Sequence, residues 1–315
     1  MYQTRAICVT ADPGLRKILR RSLCAAGSVV EFVNDADEVL ALPDPRADIL
    51  LVDEPSKQRA KVEQILAKLN SRVIVLGDGI DHEDSLRLLR AKGCDHLIAR
   101  EDVVDEEELV VTTVKLLSGD IFGMEKYLTW GITIHEREVS GYDDKRAAIA
   151  AVAEHASEVG CRRQMVARIE TTCDELLMNA LYDAPAAANG RAATAIALGE
   201  AGAPALLRYG CDGKFFGVSV RDTYGALRKQ NILDNLERAK DEQGSPRAAG
   251  HSESGGAGLG LYFILNCATR FIANIQPGRA TEVVCLFDMR GSARDFHYRA
   301  KSLNIFLEEE PPGHA

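Results

Sequence analysis

A chain of 315 residues is long enough for two domains that each bury a core, and 46% hydrophobic with 27% charged residues is ordinary for a soluble globular protein. The net charge of −9 argues against the basic face that phosphate neutralisation demands, so no nucleic-acid partner is expected. No apolar run approaches the roughly 18–20 residues of a membrane helix.

The start, Met1-Tyr2-Gln3-Thr4-Arg5, lacks the charged-then-apolar layout of a signal peptide, so the expected location is cytoplasmic, with no membrane partner. Alternating strand and helix signals follow. Ala6–Val9 reads as a buried strand, Leu15–Ala25 as a helix, Val29–Val33 as a strand and Asp35–Leu42 as a helix. Ile49–Val52 and Val73–Leu76 are continuous apolar runs suited to central parallel strands. Helices near Ala60–Leu69 and Ser85–Ala91, a fifth strand at His96-Leu97-Ile98 and a closing helix Glu106–Leu117 complete five βα units. The fold class expected for residues 1–118 is therefore α/β, a doubly wound flavodoxin-like sheet.

This pattern resembles the response-regulator receiver domain. Asp53, at the end of the third strand, falls where that family places its phosphoacceptor, and Asp12-Pro13 with Arg16 resembles its first loop. The acids that would hold Mg²⁺ fall on Thr10 and Ala11, and the switch hydroxyl falls on Gly77. The family lysine falls on Arg100 and the proline after it on Glu101. Mg²⁺ takes oxygen ligands, usually one or two carboxylates, so Asp53 with Asp12 offset by one position makes a poor metal site. The expectation is an inactive phosphoacceptor at Asp53 in a pseudo-receiver built for protein contacts.

Gly119–Gly123 breaks the pattern, and residues 119–131 form an apolar linker with the only tryptophan, Trp130; its residues Phe122, Tyr127, Leu128 and Trp130 are expected to bury between domains. His135-Glu136-Arg137 is similar to the phosphoacceptor box of histidine kinases, but about 40 residues before Asn179 are too few for a long helical hairpin at ~1.5 Å per residue. Ile132-Thr133-Ile134 reads as a strand.

A helix from Tyr142 to about Val159 precedes a second from about Arg162 to Ala184, ended by Pro185. In the second, Met165, Ile169, Cys173, Leu176/Leu177 and Ala180 recur at core spacing, while Glu175, Asn179 and Asp183 form an i,i+4 polar stripe. Ala205–Gly210 and Phe215–Val220 read as neighbouring strands, the second running into Arg221-Asp222-Thr223-Tyr224-Gly225. A polar helix Asn231–Lys240 and a glycine-punctuated stretch to residue 254 have the character of a lid or of a surface loop. Gly255-Gly256-Ala257-Gly258-Leu259-Gly260-Leu261 then opens into the apolar helix start Tyr262–Asn266, and Arg279–Phe287 gives a last core strand containing Thr281. Glycines let backbone N–H groups approach phosphates, and the positive end of the following helix favours anions.

In order and spacing these boxes resemble the GHKL ATP-binding superfamily, over roughly Trp130 to Met289. The resemblance implies an α+β sandwich, the Bergerat fold, of helices on a mixed sheet across 132–290, with ATP and Mg²⁺ as cofactors. It implies Glu175 as catalytic base and Asn179 as the Mg²⁺ ligand. Asp183, Asp222, Gly225, Gly256, Gly258, Leu259, Gly260, Leu261 and Thr281 are the implied nucleotide-binding residues. Tyr224 departs from the family, which has a glycine there. Within the superfamily the layout most resembles the anti-sigma-factor serine kinases. That implies a regulatory protein partner, phosphoryl transfer to serine or threonine, and a homodimer. The alternatives are a non-catalytic nucleotide-binding interaction module and an orphan histidine-kinase-like protein. The tail, residues 291–315, falls outside the resemblance and is expected to be a docking strand or helix. The eight cysteines are dispersed without a CxxC pair, so neither a disulfide framework nor a zinc site is expected.

Overall fold

The structure, a computed structural model, describes residues 4–54, 59–69, 71–100, 104–188, 203–243, 259–290 and 299–308. The chain divides into two compact units, Met1–Ile121 with Arg299–Phe306, and Phe122–Tyr298 with Leu307–Ala315. No helix among the described residues is long and apolar enough to cross a membrane.

The first unit alternates β1 (Thr4–Val9), α1 (Pro13–Ala25), β2 (Ser28–Val33), α2 (Ala36–Ala41), β3 (Ile49–Asp53), α3 (Arg59–Lys68), β4 (Arg72–Gly77), α4 (Glu83–Leu89), β5 (Cys94–Ala99) and α5 (Glu106–Ser118). The strands run in the order β2-β1-β3-β4-β5, all parallel. Ile49, Leu50, Leu51 and Val52 are buried without alternation, as a strand covered on both faces requires. Asp12 starts α1 by accepting hydrogen bonds from the N–H groups of Gly14 and Leu15, at 2.8 and 3.2 Å. Gly119 ends α5 in the left-handed region, φ 73°.

The tail supplies a sixth strand to this unit. Ser302–Leu307, the last strand of the chain, pairs antiparallel with β5, with Leu303 opposite Leu97 and Asn304 opposite His96. A buried acid on α5 receives it: Glu108 accepts from Ser302 Oγ at 3.1 Å and from Asn304 Nδ2 at 2.9 Å. Ser302 Oγ in turn accepts from the Ala99 N–H at 2.9 Å, so the tail is held by side chains as well as by the ladder.

The second unit contains β6 (His135–Val139), α6 (Tyr142–Glu158), α7 (Arg163–Met178), a π turn (Asn179–Asp183), α8 (Ala184–Ala188), β7 (Ala205–Cys211), β8 (Phe215–Asp222), α9 (Lys229–Gln243), α10 (Leu259–Cys267), β9 (Arg270–Gln276) and β10 (Ala280–Asp288). Its strands lie in the order β9-β10-β8-β7-β6, and each neighbouring pair among these five is antiparallel. The cause is local: Asp212 Oδ1 accepts from the N–H groups of Lys214 and Phe215 at 2.8 and 2.7 Å, closing β7 and β8 into a hairpin. A second tight turn at Gly278 does the same for β9 and β10.

Phe216 approaches His155 of α6, with ring centroids 5.9 Å apart, so by the two-residue period of a strand Asp222 shares the helix-covered face of β8. Gly217 faces the other way, and a Cβ on it would meet Met124 Sδ at 3.2 Å and Leu128 Cδ1 at 3.3 Å. The segment expected to be a linker thus straps the sheet's other face. Its 3₁₀ turn Met124–Tyr127 is buried at Met124 and Tyr127, and Gly123 N–H donates to the buried Glu282 at 2.8 Å. Both faces of β10 are covered, which is why all of it is buried.

Three expectations are corrected. Trp130 is 96% exposed rather than packed. Its neighbour Thr129 ends the strap by donating its N–H to Asp212 Oδ2 at 3.0 Å, and Gly131 then turns the chain away at φ 88°. Trp130 emission is accordingly expected to be that of a solvated indole, readily quenched by iodide; a blue-shifted, protected emission would contradict this placement. The strand expected at Ile132-Thr133-Ile134 begins instead at His135, the earlier residues packing against Gly210. Pro185 does not stop the helical run. The Ala184 N–H donates to Asn179 O, an i→i−5 bond, and this wider turn accommodates a proline that would clash inside a regular helix.

Candidate functional site

The polar stripe of α7 lies on the helix layer and ends in the π turn, a feature frequent at functional sites. Glu175, Asn179 and Asp183 are half-buried, and their side chains make no hydrogen bond or ion pair among the described residues. Burial pushes the Glu175 carboxyl above the usual range; Asp174 and Asp183 push the same way, while Lys145 pulls it down. Burial likewise raises Asp183.

Gly260, in the first turn of α10, lies directly against Glu175. A Cβ there would fall 2.0 Å from Glu175 Oε2, so glycine lets this helix start approach the carboxylate where it stands, and a larger residue would push that side chain aside. Two motifs separated by 85 positions in the sequence (175 to 260) are thereby brought together. Leu261 is buried beneath, with Ile264 and Leu265, in the core of α10. Leu259 opens that helix. Gly256 and Gly258, with Gly255, Ala257 and residues 244–254 of the lid-like stretch, lie outside the described residues, as does Glu101.

Asp222 and Thr281 face each other across β8 and β10. Asp222 is buried, and that burial raises its carboxyl pKa against hydrogen bonds that lower it. Its Oδ1 accepts from the N–H groups of Tyr224 at 2.7 Å and Gly225 at 3.2 Å, closing an Asx turn. The hydroxyl of Thr281 is buried beside this carboxyl but outside hydrogen-bond geometry, which leaves an unspent polar atom in an otherwise covered place. Tyr224, the departure from the family glycine, is used structurally: its hydroxyl accepts from the Ala203 N–H at 2.7 Å. Gly225 sits against the β9–β10 turn.

One residue that motif reading misses is Lys145. Its side chain is 5% exposed, and its Nζ lies 2.8 Å from Asp174 Oδ1, next to Glu175 in the sequence. The signal was present: Lys145 falls on the same helical stripe as Ala148, Val152 and Ala156, where an apolar residue is expected. His135 is stacked on Tyr209 at 5.0 Å and meets His155 at 4.5 Å, a packing role on β6.

In the first unit, Asp53 is fully engaged. Its side chain is 7% exposed; Oδ2 accepts from Thr10 Oγ1 at 2.8 Å, and Oδ1 is ion-paired with Arg100. The same guanidinium reaches Asp12 Oδ2 at 3.0 Å. Arg16 caps the arrangement through the Thr10 carbonyl, at 2.9 and 2.7 Å. At Gly77 an added Cβ would meet only ordinary contacts, the nearest being Leu97 Cδ1 at 3.7 Å, so sterics do not dictate that glycine. Among the described residues no cluster of three or more His, Cys, Asp or Glu side chains is arranged to hold a metal ion.

No protein-family model matches the chain. No curated protein matches it. Among solved structures, a chain of the SiaB-SiaC complex from Pseudomonas aeruginosa is similar, with a TM-score of 0.31 and 13% identity over 49% of this chain and 88% of that one.

Proposed function

We propose that the second unit binds Mg-ATP and that the protein is a partner-switching regulator of the anti-sigma-kinase type, transferring a phosphoryl group to a serine or threonine of a protein partner. The observation that carries this reading is the contact of Gly260 with Glu175, which joins the glycine-box helix to the acidic stripe of α7. The first unit enters the proposal as a flavodoxin-like pseudo-receiver, supported by its parallel order β2-β1-β3-β4-β5 and by the ion pair that engages Asp53. A homodimer, implied by the resemblance, belongs to the same reading.

The residues fit a magnesium nucleotide. The free side-chain amide of Asn179 offers the hard oxygen that Mg²⁺ takes, and Asp183 stands one turn further on with a free carboxyl. When bound, the ion would shield the phosphate oxygens from each other and from the attacking group. Glu175, its pKa raised by burial, is a stronger base than an ordinary glutamate and is suited to accept the proton of a hydroxyl. Asp222, buried and held by the N–H groups of Tyr224 and Gly225, offers a fixed acceptor for an exocyclic amine of the base, and the Thr281 hydroxyl has a hydrogen bond to give.

Full-length protein is expected to melt at higher temperature with Mg-ATP. A ligand present at a hundred times its Kd adds about 2.7 kcal/mol. Asn179→Ala should remove the magnesium dependence of that shift. No shift at millimolar nucleotide would overturn the reading, whereas binding without transfer to any partner would favour the non-catalytic module.

A further inference from the structure

We propose that Lys145 binds the terminal phosphoryl group of the nucleotide, an assignment that rests on the nucleotide site proposed above. An ammonium has three N–H donors and no acceptor. Among the described residues Lys145 spends one on Asp174, at 2.8 Å, and its only other partner is the Tyr142 ring face at 5.7 Å, near the outer limit of a cation–π contact. Tyr142 is itself 58% exposed, so that contact is weak. Two donors of a buried cation are left unspent.

A buried charge is costly unless its remaining donors are satisfied. Apolar residues line the rest of this stripe, at Ala148, Val152 and Ala156, and a methionine or leucine would pack there without that cost. The remaining donors of the lysine therefore call for a second acceptor beside Asp174. Its Nζ lies 2.8 Å from Asp174, the residue before Glu175, so the cation stands at the acidic end of the site, and it pulls the Glu175 carboxyl down. In the proposed transfer, the hydroxyl that gives its proton to Glu175 attacks the terminal phosphorus while the bond from that phosphorus to the bridging oxygen breaks and ADP leaves with the electron pair. That phosphoryl group is thus the anion presented at this end, and its oxygens accept charge-assisted hydrogen bonds from a compact cation. A lysine that merely ties α6 to α7 through Asp174 would act equally on every nucleotide, whereas a phosphoryl ligand must distinguish triphosphate from diphosphate.

The test is calorimetric titration of full-length wild type, Lys145→Met and Lys145→Arg with Mg-ADP and with a magnesium-bound, non-hydrolysable ATP analogue. Lys145→Met should lose about tenfold in affinity for the triphosphate analogue, as for one charge-assisted hydrogen bond, and hold its ADP affinity within about twofold. Lys145→Arg should keep most of the triphosphate affinity. Equal losses for both nucleotides, or none, would overturn the Lys145 assignment while leaving the nucleotide site intact. Failure of the wild type to bind either nucleotide would overturn both. Should Lys145→Met not fold, Lys145→Gln carries the same comparison, since it keeps the length of the stem and a polar end.

Discussion

Gly225→Ala is expected to cost the second unit about 3 kcal/mol, the sum of roughly 1 for a left-handed alanine and roughly 2 for overpacking. Gly225 has φ 58°, and an added Cβ would lie 2.1 Å from Gln276 O, 2.6 Å from Arg279 N and 2.7 Å from Gly278 N. All three are backbone atoms of the β9–β10 turn, so no side chain can swing aside. The turn cannot retreat either. Gly278 N–H donates to Gly225 O at 3.2 Å, and Arg279 N–H to Gln276 O at 3.0 Å, and both bonds would have to break. The melting temperature should fall by roughly 6–12 °C, at about 2–4 °C per kcal/mol for a domain of this size. Gly131→Ala is the control, because Gly131 has φ 88° and nothing within 4 Å of an added Cβ. It isolates the conformational cost, so Gly225→Ala melting within about 2 °C of Gly131→Ala would refute the close approach.

What the sequence reveals and what it hides differ by range. The strands of the first unit were legible because Ile49–Asp53 and Arg72–Gly77 are unbroken apolar runs bounded by polar residues, a local signal. The absence of acids at positions 10 and 11 and of a hydroxyl at 77 was legible too, since Thr10, Ala11 and Gly77 can be read off one at a time. The ion pair that engages Asp53 was not, because Arg100 lies 47 positions away and the pairing follows no periodicity. The tail shows the same limit: Ser302 and Asn304 find Glu108 across 194 and 196 positions. Pro185 misled because the rule that proline ends a helix assumes i→i−4 bonding, which the π turn replaces. Trp130 misled because apolar residues are preferred inside, but exposed ones are not thereby forbidden. In the second unit, the spacing of Glu175 and Asn179 was a reliable guide to a shared helix. The approach of Gly260 to that helix depends on tertiary packing between α7 and α10.

Arg100→Met is expected to destabilise the first unit by about 2–3 kcal/mol, somewhat below the ~3–5 kcal/mol of a fully buried pair because the arginine side chain is 19% exposed. Thr10 Oγ1 would be left as the only side-chain partner of Asp53 among those described, against a carboxylate held almost entirely out of water. Asp53→Asn in the Arg100→Met background should recover much of the loss, since a neutral amide needs no counter-ion. The coupling energy from urea unfolding of the four proteins should then reach at least ~1 kcal/mol. A single Arg100→Met cost under ~0.5 kcal/mol would show that the ion pair does not hold Asp53 in place. The same proteins test the phosphoacceptor. Intact mass after acetyl-phosphate treatment is expected to be unchanged in the wild type, because Arg100 and Thr10 occupy both carboxylate oxygens. It should stay unchanged in Arg100→Met as well. Removing the arginine frees the oxygen but supplies no acid at positions 10 and 11, and Asp12 remains committed to the α1 cap. A stable adduct at Asp53 in either protein would show that this pocket keeps its chemistry, and the argument that the first unit acts through its surface would fail with it.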